Sequence, residues 1–155
     1  MSLVVIAIAF FMILELSNVF MMYFNKDSSR ANGIGVFKAW EKSKADSETH
    51  DFVKYLINWV AGTKIFFLSL LAVIVIFGSP DLHPWVLLAM VISIATFYVG
   101  LYPLARKMDS EDMLIPKGYS KTLAGMISIL VIVFLILFIW SMWPSIFPIP
   151  MPSFW

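Results

Sequence analysis

Few side chains in this sequence are equipped for chemistry, and those few sit in apolar surroundings. Glu15 lies in LVVIAIAFFMILELSNVFMMYF, with Asn18 three residues further on and so on the same helical face. Asn58 and Lys64 lie in INWVAGTKIFFLSLLAV, and Thr96 and Tyr98 lie in ISIATFYVG. Ionisable groups inside such segments pair with one another, bind a cation or proton, or hold the polar end of an otherwise apolar ligand. Glu15, Asn18, Asn58 and Tyr98 are therefore the candidate ligand or ion pocket, with Lys64 and Thr96 as secondary members. Glu15 is the strongest single candidate; its structural alternative is a hydrogen bond to Asn18, Asn58 or Tyr98 that serves packing alone.

Other chemistries find little support. The chain has no cysteine, no G-x-S-x-G and no H-E-x-x-H. Asp46 and His50 have i, i+4 spacing, but the second histidine, His83, is remote, so Asp46, Glu48, His50 and Asp51 read as helix caps and a solvated face. Gly33-Ile34-Gly35 is too short for a phosphate loop, lacking the wider glycine pattern and the Lys-Ser/Thr that follows it. Neither a metal nor a cofactor is expected.

The elements that must carry these residues are membrane helices. Of 155 residues, 61% are hydrophobic and the mean hydropathy is +0.88, more apolar surface than a soluble fold of this size hides. About 20 apolar residues span a bilayer core. Four stretches qualify, about Leu3–Phe24, Asn58–Gly78, Trp85–Leu104 and Leu123–Trp143. The expected fold is all-α: a single integral membrane domain over residues 1–155, a bundle of four transmembrane helices. The first stretch lacks a basic leader and a small-residue cleavage site, and reads as a retained helix rather than a signal peptide.

Lys and Arg concentrate in two connections. Lys26, Arg30, Lys38, Lys42, Lys44 and Lys54 fall in or beside the first, and Arg106, Lys107, Lys117 and Lys121 in or beside the third. Cytoplasmic loops retain such residues. Both termini are thus expected outside, with the long first loop cytoplasmic and the protein in the cell membrane. Within that loop VFKAWEKSK sets Val36, Phe37 and Trp40 against charges, the pattern of a short interfacial amphipathic helix. The Pro- and aromatic-rich tail, residues 144–155, is expected to lie extended at the outer interface. The net charge of +1 implies no nucleic-acid partner; the expected partners are the lipid bilayer and a second copy or another membrane protein.

Helical wheels assign faces. Asn58, Gly62, Ser69 and Ala72 make one small-and-polar stripe, and Ala89, Ser93, Thr96 and Gly100 another, both expected to face the bundle interior. Lys64 sits about 200° from Gly62 at 100° per residue, on a face with Ile57, Val60, Leu68 and Leu71. It is expected to snorkel to the headgroups; an ion pair with Glu15 is the alternative, which depth permits and the wheel disfavours. Asn58 is expected to meet Glu15 and Asn18. The tight turn after Gly78 makes the second and third helices expected antiparallel neighbours.

In length, four helices, outward termini and a long first cytoplasmic loop, the chain resembles the MAPEG glutathione-dependent membrane enzymes. Those enzymes begin helix two with an Arg-rich run ending in Asn, with Glu three residues later. The corresponding stretch, KYLINWVA, has Lys54 and Asn58 but Ala61 in the acid's place, and Tyr98 and Arg106 do not reproduce the later Arg and Tyr pattern. The resemblance implies one alternative, an enzyme acting on an amphipathic substrate at the inner leaflet. A further alternative is an oligomeric proton- or cation-coupled transporter or channel using Glu15. The leading expectation is a non-enzymatic accessory or binding subunit. Its cytoplasm-facing polar pocket would take a lipid, an apolar small molecule or a partner's helix.

Overall fold

The computed structural model describes residues 2–29 and 33–146. Six α-helices and one 3-10 turn account for most of them. They are α1 (Leu3–Phe24), the 3-10 turn (Ile34–Val36), α2 (Lys38–Ser43), α3 (Ser47–Phe77), α4 (Leu82–Ala95), α5 (Phe97–Ser110) and α6 (Tyr119–Ile146). Four stretches are long and apolar enough to cross a membrane: Leu3–Phe24, Ser47–Phe77, Leu82–Ser110 and Tyr119–Trp143.

Local chemistry sets the boundaries. The Ser2 hydroxyl accepts from the Val5 N–H to start α1, and the Asp46 carboxylate accepts from the Thr49 N–H to start α3. That cap begins the second spanning helix at Ser47, well before the apolar run expected from Asn58. The third spanning stretch is broken at Thr96, whose hydroxyl donates to the Ser93 carbonyl at 2.6 Å while its own N–H turns to the same oxygen. A hydroxyl competing for a backbone carbonyl in this way loosens the regular ladder and divides α4 from α5. At the end of α5 the Asp109 carboxylate accepts from Gly118 N–H, Ser120 N–H and the Ser120 hydroxyl, and so fixes the start of α6. α6 continues three residues beyond Trp143; the rest of the expected extended tail lies outside the described residues.

α1 is the hub. It packs chiefly along α3 and also touches α4 and α6, while α4 pairs with α6. α3 and α4, expected as antiparallel neighbours because of their short connection, are not packed along their lengths. They meet only near the end that carries the N-terminus, where Leu71 and Val75 of α3 join Ile8, Phe11, Leu87, Met90 and Phe134 in one apolar cluster. There Phe11 stands edge-on to Phe134, their centroids 5.8 Å apart. A second cluster lies toward the loop end and buries Val19, Met22, Trp40, Ile57, Ala61 and Leu68 of α1, α2 and α3, with Ile34 of the 3-10 turn packed against them.

The loop end is closed by backbone pairing. Phe37 and Leu114 form an antiparallel bridge, with Lys38 N–H donating to Met113 O at 3.0 Å and Ile115 N–H to Val36 O at 2.8 Å. Val36 and Leu114 are buried beneath it, and Lys38 pairs with Asp112 at its rim. The short helix expected from VFKAWEKSK is present as α2. Its Trp40 indole donates to Asp27 at 2.6 Å and packs against the His50 ring at a tilt of 39°, and Lys44 pairs with both Asp27 and Glu41. Gly35 sits where a Cβ would come 2.2 Å from the Asp27 carbonyl, so its role is close backbone approach, not phosphate binding.

Candidate functional site

The wheel assignments of α3 and α4 are corrected by burial. On α3 the inward face is Ile57, Ala61, Leu68 and Leu71, all buried, with Lys64 among them; of the expected stripe, Asn58 and Ser69 are exposed and Gly62 and Ala72 half-buried. On α4 and α5 the buried residues are His83, Leu87, Met90, Val91, Phe97 and, at the loop end, Asp109, whereas Ala89, Ser93, Thr96 and Gly100 are exposed. The reason lies in the small polar residues themselves. Ser69 donates to Ile65 O at 2.9 Å and Thr63 to Trp59 O at 3.0 Å, so each satisfies its hydroxyl on its own helix. Polarity of that kind exerts no pull toward the protein interior; a full charge does.

Lys64 answers to that pull. Its Nζ donates to Glu15 Oε2 at 2.5 Å, so it pairs across the α1–α3 contact and does not snorkel. The registers match: Glu15 lies twelve residues from the start of α1 and Lys64 thirteen from the end of α3, roughly 18 and 20 Å from the same end at 1.5 Å per residue. The two side chains keep 24% and 30% of their surface accessible, enough for contact with a further group.

What they face is a groove of 230 Å³ between α3 and α4. From α1 come Phe11 and Glu15, from α3 Lys64, Phe67 and Leu68, and from α4 Met90, Ser93 and Ile94. The helical wheel places Ser93 in a packing stripe; its exposure to the groove follows from the separation of α3 from α4. A neighbouring hollow of 410 Å³ on α3, walled by Trp59, Val60 and Thr63, shares Lys64 and Phe67 with the groove. The site is an ion pair set in apolar walls, suited to orienting one polar group on a long apolar body.

The other candidates are dispersed. The Tyr98 hydroxyl donates to Ala124 O at 2.9 Å and lies 2.5 Å from the Ser128 hydroxyl, which ties α5 to α6 away from Glu15. Thr96 is spent on the helix break. Asn58 offers its backbone carbonyl to the Tyr23 hydroxyl at 3.4 Å, and its exposed side chain does not reach Glu15. Asn18 is half-buried on α1 with no side-chain hydrogen bond among the described residues.

No family model matches the chain, and no curated protein and no solved structure is significantly similar to it. Function therefore rests on the site itself.

The residues behind the MAPEG resemblance do not converge. Lys54 pairs with Asp51 one turn away on α3, Ala61 is fully buried against α1 and α2, and Asn58 points outward. Among the described residues no group of three or more His, Cys, Asp or Glu is placed to hold a metal ion. His50 meets the Ser43 hydroxyl through Nδ1 at 2.9 Å, inside the loop cluster with Trp40. In that cluster Asp27 has its carboxyl held below the usual carboxylate range, first by the Lys44 ammonium and then by the Trp40 indole.

Proposed function

We propose that this chain is a non-enzymatic multi-pass membrane protein that holds an amphiphile in the groove between α3 and α4. The observation that carries this reading is the Glu15–Lys64 pair, partly accessible in an otherwise apolar groove. A charge at the centre of a membrane helix costs about 2.5–3.5 kcal/mol, so two of them facing a groove call for a function beyond packing. The scattered positions of Lys54, Asn58 and Tyr98 speak against a glutathione-type active site, and the engagement of Glu15 by Lys64 speaks against a pore lined by free carboxylates. The excess of Lys and Arg in the first and third connections supports a cytoplasmic loop end and outward termini.

Native mass spectrometry of the detergent-released protein tests the reading. A bound mass in the lipid range is expected, and Ser93→Trp, which fills the groove from an exposed position, should displace it. A protein that carries no such mass, or carries it equally in the Ser93→Trp variant, sinks the proposal.

A further inference from the structure

We infer that the occupant of this groove is a long-chain carboxylic acid, bound by its acid group to the Glu15–Lys64 pair; the inference rests on the amphiphile-binding reading above. The argument is one of hydrogen-bond and charge complementarity. Glu15 uses Oε2 toward Lys64, leaving Oε1 as an acceptor, and the Lys64 ammonium has two further N–H donors. One acceptor beside one donor is the complement of a carboxylic acid, whose hydroxyl donates to Oε1 while its carbonyl accepts from Nζ. The charges agree as well. The pair is neutral and the acid arrives with its own proton, so the occupied site holds one ammonium, one carboxylate and one acid wherever that proton rests. Its net charge stays zero, which an apolar environment demands.

Other amphiphiles fit less well. A methyl ester has no hydrogen to give Oε1. A phospholipid phosphate would bring an uncompensated charge and would have to leave the headgroup layer, since Glu15 lies nine residues, about 13 Å, from the loop end of α1. Among the described residues the groove has no other titratable group to alter this balance: α1 contributes Glu15, α3 contributes Lys64, and α4 contributes only Ser93 as a polar side chain. The chain of the acid has Phe67 to follow, since that residue walls both the groove and the adjoining hollow on α3.

The test is binding of palmitic acid to the detergent-solubilised full chain, compared with methyl palmitate, cetyl alcohol and dipalmitoyl phosphatidylglycerol, over a range of pH. The native protein should bind the acid at least tenfold more tightly than the other three. Its affinity should fall about tenfold per pH unit once the free acid ionises, because one proton enters with the ligand. Glu15→Gln leaves Lys64 with the ligand carboxylate as its counter-ion, so it should bind the acid at least as tightly and lose that pH dependence. Lys64→Gln should weaken binding tenfold or more. Equal or tighter binding of the ester, the alcohol or the phospholipid overturns the assignment of an acid while leaving the amphiphile groove in place, and so does a native affinity indifferent to pH. Binding of none of the four probes overturns both readings.

Discussion

Glu15 and Lys64 are 49 residues apart in the chain, and their charged atoms come within 2.5 Å. This contact fixes the register of α1 against α3 and places the two oppositely charged side chains of the groove side by side. Removing one partner strands the other. Glu15→Gln or Lys64→Met alone should lower stability by roughly 2–3 kcal/mol, and the double variant should recover most of it, because an unpaired intramembrane charge costs more than a neutral pair. Denaturant titration in mixed micelles measures the three variants, and equal losses in the singles and the double would contradict the pairing.

Tyr98 should matter to stability and not to the groove. Its hydroxyl serves the Ala124 carbonyl and Ser128, and interhelical hydrogen bonds of this kind are worth about 1 kcal/mol. Tyr98→Phe should lose that much in the same unfolding assay and leave amphiphile binding unchanged.

The loop end depends on a glycine. Any side chain at position 35 meets the Asp27 carbonyl at 2.2 Å, which only a shift of backbone relieves. Gly35→Val should open the first loop to limited proteolysis several-fold faster than in the native chain. Helix content, read by circular dichroism, should hold.

The same loop should respond to acid. Asp27 has a depressed carboxyl pKa through Lys44 and Trp40, so its contribution is complete above the ordinary carboxylate value of about 3.9 and fades as pH falls through its lower folded value. Hydrogen exchange over α2 should therefore rise below about pH 4. In Asp27→Asn it should already be raised at neutral pH and show no such step.

The threading is open to direct measurement because the chain contains no cysteine. A single cysteine at Ser2 should react with an impermeant maleimide from outside intact cells, and one at Ser110 only after permeabilisation. The reverse pattern would invert the proposed orientation.

Hydropathy alone determined the four long helices, because the length needed to cross hydrocarbon and the exclusion of charge from it are one-dimensional constraints. Capping chemistry was equally local: Asp46 before Ser47 announces a helix start, and VFKAWEKSK announces a short amphipathic one. Which face of each helix turns inward was not local. In water the polar face marks the outside, but here lipid and protein interior are both apolar. Asn58, Ser69 and Ser93 could therefore lie on exposed faces while Ile57, Ala61 and Leu68 turned in. The partnership of Glu15 with Lys64 depended on α1 choosing α3, and the groove on α4 choosing α6 over the α3 that precedes it. Those choices come from side-chain packing summed over whole helix faces, which only the assembled structure decides.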